Sequence, residues 1–455
     1  MTLRSEAAKT WALSTPIILG ELTQMALGII DSVMVGAISY QHLAAAALVN
    51  SVMNIPFVLG FGMTMSISQT VSMANGRRDS QQVSHYLYNG FWVCTISAIL
   101  IALFLNSIKD VVFHLGQDQQ VAELSVPYLQ IMGWSIIPMM MFIGIKQFTD
   151  GLERTRTAML LSLAALPLNI FINWLLVYGN WGFPRLELRG AGYGTLITRI
   201  LILLVFIVVI MIHPYFSKFL AIRKKQWVLK KQTIKELLHI GVPSSLQAAL
   251  ESGAFAVSGI IIGTLGAIQL AAHQIALSCA SLAFMVSWGL AQGGSIRISN
   301  SMGRGNWSVI SIIGKSTFLS GLVYGIFGVI FFVSFRNILP RAFNNDALVV
   351  SLASVLMLYA AVFQISDATQ AIGAGLLRGI KDVKVPTIYI AIAYWVVGIP
   401  MGCLMAFTFK MGAAGMWIGF VCGLTFSSVS LNRRFVNIIR QKKIILDKVN
   451  EKAAQ

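Results

Sequence analysis

Four acidic side chains stand well inside apolar runs: Glu21, Asp31, Glu251 and Asp367. The rest of the 17 Asp and Glu fall in polar breaks, at the ends of apolar runs or in the tails. A carboxylate at bilayer depth is costly, and such residues mark ion pathways, proton relays or counter-ions by default. Glu251 is the clearest case, the one charge in VPSSLQAALESGAFAVSGIIIGTLG, residues 242–266. Asp367 stands in QISDATQAIGAG beside Gln364, Ser366, Thr369 and Gln370, a locally polar turn fit for a dehydrated cation or a few waters. Glu21 lies nearer the start of its run, within reach of the interface, and fits a structural role better than the other three.

Three chemistries use such carboxyls. Desolvation disfavours the charge, so a buried carboxyl can load and release a proton near neutral pH. Two carboxylates with hydroxyl and carbonyl oxygens can bind Na⁺. A carboxylate can also pair with a cationic substrate. One site that holds either the coupling ion or the substrate, but not both, is the logic of antiport. Gln24, Ser258, Phe363, Gln364, Asn169, Asn173 and Gln274 are the candidate cavity residues. His273 and Gln274, at the start of a span, also fit a structural role. Lys146 and Asp150, four apart, are expected to pair on one helix face.

Other chemistry finds no residues. There is no metal cluster, no phosphate-binding loop and no nucleophile elbow, so neither an enzyme nor a cofactor is expected. GAGYG (190–194) opens an apolar run rather than a strand–helix turn and reads as helix packing. Cys94, Cys279, Cys403 and Cys422 lie in apolar runs with no CxxC pair and read as small core residues.

The elements that position these groups are membrane helices. Of 455 residues, 56% are hydrophobic and 11% charged, against ~25% charged in soluble proteins. The length suits about a dozen spans of roughly 20 apolar residues. The apolar runs are 12–38, 43–73, 86–107, 125–148, 158–178, 191–213, 237–265, 270–298, 314–335, 347–375, 385–409 and 413–431. The first is expected to be an uncleaved span. The net charge of +17 sits in short loops and the tail, as orientation signals and lipid-headgroup contacts do; no nucleic-acid partner is expected. With the N-terminus inside, only Lys109, Arg185, Arg189, Arg336, Arg341 and Lys410 fall in outside segments. Both termini are therefore expected in the cytoplasm.

The chain also repeats. The shift that carries Pro16 onto Pro243 carries Gly36 onto Gly263 and Leu43-Ala44-Ala45 onto Leu270-Ala271-Ala272. It also carries Gly62 onto Gly289 and Gly76-Arg77 onto Gly303-Arg304. Six spans per half is an even number, so the halves are parallel repeats. The fold expected is an all-α polytopic membrane protein of twelve helices, two six-helix lobes flanking a central cleft. The boundaries expected are 1–213 for the N-lobe, 214–236 for a basic cytoplasmic linker, 237–435 for the C-lobe and 436–455 for a basic tail. Gln24 is the repeat partner of Glu251, and Ser258 of Asp31. Positions seven apart share a helix face, so each half presents the same polar face with its carboxylate at a different level. Asp31 and the Glu251/Asp367 pair are expected to be separate sites, and organic cations to be preferred over anions.

At DSVMVG (31–36), LAAAAL (43–48), GVPSSLQAALESGAFAV (241–257), LAAHQIAL (270–277), QISDATQAIGAGLLRGIKD (364–382) and AYWVVGIPMG (393–402) the chain resembles the multidrug and toxic compound extrusion (MATE) family, NorM-type bacterial branch. The resemblance spans about residues 6–431. It implies an inner-membrane antiporter that exports cationic or amphipathic drugs against Na⁺ or H⁺, with membrane lipids its other contacts and a monomer the expected state. It ties Glu251 and Asp367 to cation coupling, which makes them the candidate Na⁺ ligands, and Asp31 to coupling in the N-lobe. Two positions depart from the family pattern. Phe363 stands where the branch often has Tyr, and Asn173 where the other prokaryotic branch has a second Asp. The rivals are a lipid or lipid-linked precursor flippase, which should carry several cations in its spans; a membrane-embedded enzyme; and a channel. The spans hold only Lys146 and Arg199 as bases.

Overall fold

The computed structural model describes residues 2–114, 118–220 and 228–454, with side chains described to residue 445. Residues 221–227 of the expected linker and the side chains of the tail beyond 445 lie outside the described residues. Among the described residues every regular element is helical. Without water to satisfy a free backbone, a helix is the solution open to a single apolar segment.

Among the described residues twelve helices are long and apolar enough to cross a membrane. They are α1 (Leu3–Gly36), α2 (Tyr40–Gly76), α3 (Ser80–Ser107), α4 (Gln119–Gly151), α5 (Thr155–Tyr178) and α6 (Glu187–Ile212). After the short α7 (Pro214–Leu220) come α8 (Lys231–Gly263), α9 (Ala267–Gly303), α10 (Trp307–Phe335), α11 (Ala347–Gly379), α12 (Lys384–Thr408) and α13 (Ala413–Ala454). Their outer faces bear large apolar side chains such as Ile260, Ile212 and Phe327, each at least 70% exposed. Such a surface is an aggregation liability in water and an ordinary one in a bilayer.

The helices overrun the apolar runs because local capping sets their ends. Ser39, Asp79, Asp118, Asn306 and Asp346 each accept a hydrogen bond from a first-turn N–H. Gly179 ends α5 in the left-handed region at φ 76°. α8 begins at Lys231, inside the expected linker, and is anchored on α3. There the Lys230 N–H donates to Asn89 Oδ1 at 2.9 Å, and Tyr86 donates to Glu236. α13 runs on through the basic stretch after residue 431, where Arg434 grips Asp382 through Nε and Nη2 at 2.5 and 3.2 Å.

The chain forms two compact units, Leu19–Ser245 and Met1–Ile18 with Leu246–Gln455. α4 is the core of the first: 72% of its most apolar window is buried, against α2, α3 and α6. α11 has that place in the second, against α9, α10 and α13. The division between the units lies at two places in the chain. It falls inside α1 and inside α8, after Ile18 and after Ser245. Close packing explains why. A Cβ on Gly62 of α2 would lie 2.4 Å from the Ser245 Cα, and one on Gly289 of α9 would lie 2.3 Å from Ile18 Cγ1. Ile18 and Ser245, like Gly62 and Gly289, are repeat partners. The leading turns of α1 thus belong to the unit that holds Leu246–Gln455, and those of α8 to the unit Leu19–Ser245. Arg297 of α9 fastens α1 there, donating to the Glu6 carbonyl and to Thr10 Oγ1, both at 2.6 Å, and pairing with the Glu6 carboxylate.

Candidate functional site

In the unit Leu19–Ser245, α1, α5 and α6 assemble a site around Asp31. Asn173 Nδ2 donates to Asp31 Oδ1 at 2.7 Å and contacts Asn169 Oδ1 at 3.2 Å. Thr195 Oγ1 donates to Asp31 Oδ2 at 3.2 Å. Asn169 and Asn173 are buried. The charge of Arg199, one turn beyond Thr195, acts on Asp31, and Arg199 also donates to Ser135 on α4. The two asparagines expected to line a cavity therefore serve the carboxylate directly. Gln24 is half-buried on the same helix, seven residues before Asp31.

The glycines of GAGYG make this geometry available. A Cβ on Gly190 would lie 2.4 Å from the Leu176 carbonyl oxygen, and one on Gly194 would lie 2.0 Å from Asn173 Oδ1. Gly194→Ala must therefore push Asn173 off Asp31. A hydrogen bond to a charged group contributes about 1.5–3 kcal/mol. Thermal unfolding in detergent should show a loss of that order, and Gly259→Ala, whose Cβ would meet nothing within 4 Å, should show none. An unchanged melting point for Gly194→Ala would mean that Asn173 is not fixed on Asp31.

In the other unit, Glu251 of α8 accepts a hydrogen bond from Tyr394 Oη of α12 at 3.0 Å. Asp367 of α11 is 2% exposed, and its Oδ2 has no partner. Glu251 acts electrostatically on Asp367, and buried Arg378 acts on Glu251. Both atoms of the Gln364 amide, Gln370 Oε1, Ser258 Oγ and both His273 nitrogens are buried without partners. Buried polar groups are normally satisfied. Of these, Gln364 and Gln370 share α11 with Asp367, and Ser258 shares α8 with Glu251, seven residues on. The Phe363 ring lies 5.4 Å from Trp417 and 6.3 Å from Phe255 in an aromatic cluster. Gln274 is exposed on the face of α9 away from His273.

Tyr394 is presented by an unusual backbone. Ile392–Gly398 and Leu404–Thr408 of α12 are π-helical; such segments are rare and frequent at functional sites. They press on Gly415, Gly419 and Gly423, a small-residue ladder on α13. A Cβ on Gly419 would lie 2.3 Å from the Gly398 carbonyl oxygen, and one on Gly423 would lie 2.3 Å from that of Ala393. Trp395 Nε1 donates to the Leu250 carbonyl at 3.1 Å and fixes α12 to α8 beside Glu251.

Glu21 does not reach for the interface. It accepts from Lys146 Nζ at 2.7 Å, and the expected Lys146–Asp150 pair stands at 3.9 Å. Among the described residues no three His, Cys, Asp or Glu side chains gather as a metal site. The four cysteines are unbonded.

The MatE family model matches residues 16–175 and again 243–404. The two matches begin at the repeat partners Pro16 and Pro243. The chain is 33% identical to the "Probable multidrug resistance protein NorM" of Rhizobium meliloti (strain 1021) over 434 residues, 94% of this chain and 93% of that one. It is 31% identical to the multidrug resistance protein MdtK of Yersinia pseudotuberculosis serotype O:1b (strain IP 31758), over 93% of this chain and 94% of that one. The crystal structure of the eukaryotic MATE transporter AtDTX14 shares its fold, with a TM-score of 0.87 at 21% identity over 97% and 99% of the two chains. With two family matches on the two sequence halves and relatives aligned over nearly their whole length, this chain belongs to the MatE family of membrane transporters and is not an enzyme.

Proposed function

We propose that the protein exports cationic and amphipathic drugs by antiport, with Na⁺ or H⁺ as the coupling ion at Glu251 and Asp367. The observation that carries this is the pair of carboxyls in electrostatic reach of each other, with buried polar atoms around them that lack partners. A carboxylate pair holds a small cation or a protonated amine by the same charge, so loading one expels the other. Two units built from parallel repeats suit alternating access, in which a substrate site faces one side of the membrane and then the other. The relatives named as multidrug resistance proteins support the substrate class; nothing in those names favours a lipid or lipid-linked precursor flippase.

In this reading the protein is a monomer in the bacterial cytoplasmic membrane, with both termini in the cytoplasm as the Lys and Arg distribution requires. Its partners are cationic drugs and membrane lipids, with no nucleic acid and no cofactor. The test is efflux of an organic cation from loaded proteoliposomes. An imposed Na⁺ or pH gradient should accelerate efflux, and a rate indifferent to both would overturn the coupling.

Asp31 is a separate site in this scheme, since its ligands and those of Glu251 belong to different units. Asp31→Asn should leave calorimetric Na⁺ binding at Glu251 and Asp367 in place, whereas Glu251→Gln should remove it. If Asp31→Asn alone abolished the binding as completely, there would be one site.

A further inference from the structure

A second buried charge cluster lies in the unit Leu19–Ser245, apart from Asp31 and unused by the function above. Lys146 Nζ donates to Glu21 Oε1 at 2.7 Å and stands 3.9 Å from Asp150 Oδ2. The side chains of Glu21, Lys146 and Asp150 are 15%, 8% and 3% exposed. α1 passes close by at Gly20, where a Cβ would be in ordinary contact with Lys146 Cε at 3.9 Å and Ser162 Oγ of α5 at 4.0 Å.

The charges in this cluster do not balance. Two carboxylates face one ammonium, and of the described residues only Lys146, on its own helix, and Glu21, on α1, act electrostatically on Asp150. An uncompensated charge buried in protein is strongly unfavourable. The hydrogen bonds do not close either: Asp150 Oδ1, Gln147 Oε1 and Ser162 Oγ are all buried and all without partners. An ionised Asp is an acceptor only, whereas a protonated one gains an O–H donor. A single proton supplies both the missing charge and a missing donor. Asp31 cannot share it, since ten residues along α1 span about 15 Å.

We propose that Glu21, Lys146 and Asp150 form a protonation site of this unit, holding one exchangeable proton between the two carboxyls beside the ammonium. Lys146 acts there as a tethered cation, which leaves room for one further positive charge.

Infrared difference spectroscopy on the purified full-length protein at neutral pH tests the charge count. Asp150→Asn should delete one protonated-carboxyl C=O band, because Glu21 and Lys146 then balance. Glu21→Gln should delete the same band, because Asp150 and Lys146 then balance. Lys146→Gln should add one carboxyl's worth of that band, because both carboxyls must then be protonated. Should one variant fail to fold, the other two still read the count. Loss of ionised-carboxylate bands alone in Asp150→Asn or Glu21→Gln, or no added protonated band in Lys146→Gln, overturns the proposal.

Discussion

Glu251→Gln and Asp367→Asn should each reduce coupled efflux to the rate seen without an ion gradient, while the protein reaches the membrane in wild-type amount. Both substitutions keep shape and remove charge. The side-chain amide introduced by Glu251→Gln still offers a carbonyl oxygen to Tyr394 Oη, so the aromatic cluster around Phe255 and Phe363 is not disturbed. Glu251 and Asp367 are like charges close enough to act on each other, and neutralising one removes that repulsion, so the melting point should hold or rise. What is lost is the electrostatic claim on a cation, made by two carboxyls among buried oxygens and nitrogens with no partner of their own. Efflux from proteoliposomes under Na⁺ and pH gradients, alongside quantified expression, separates loss of coupling from loss of protein. Wild-type rates in both variants would remove the pair from the mechanism.

Gly419→Val should be the most disruptive single change in α13. Its side chain would have to occupy space 2.3 Å from the Gly398 carbonyl oxygen and 2.5 Å from the Gly402 nitrogen. Both neighbours are backbone and cannot swing aside as a side chain would. Overpacking typically costs 1–3 kcal/mol, about that or more here, because two helices must part along a small-residue ladder. The π segment that presents Tyr394 moves with them, so efflux should fall together with thermal stability. A Gly419→Val protein that melts like wild type would show that α12 and α13 are not held at this separation.

The four intramembrane acids were legible in the sequence because their cost in an apolar run is visible locally. So were the spans and the repeat, since hydropathy and self-similarity are properties of the chain itself. The partners were not. Tyr394 reaches Glu251, and Thr195 reaches Asp31, across more than a hundred residues, and no local period announces either. AYWVVGIPMG resembled the family without revealing that its backbone widens into π turns or that Gly419 and Gly423 of another helix lie against it. Glu21 was read from its depth alone, and depth does not show that Lys146 faces it from α4. The helix ends ran beyond the apolar runs for the same kind of reason: capping side chains and the Arg434–Asp382 fork settle them, not hydrophobicity. The breaks at Ile18 and Ser245 were not legible either, because the glycine contacts inside α1 and α8 are made with residues far along the chain.

That placement of the breaks, at Ile18 and Ser245, bears on how the two halves came to share one chain. Each half surrenders the leading turns of its first helix and receives the counterpart's in return. This is the geometry of a domain-swapped pair, with the linker as a later tether. A single half made alone would expose a glycine-lined groove, around Gly62 or Gly289, cut to the shape of the missing turns. A second copy of the same half carries a segment at the repeat-equivalent position. The fold thus has, inside one chain, the reciprocal exchange of segments that a dimer of half-length chains would make.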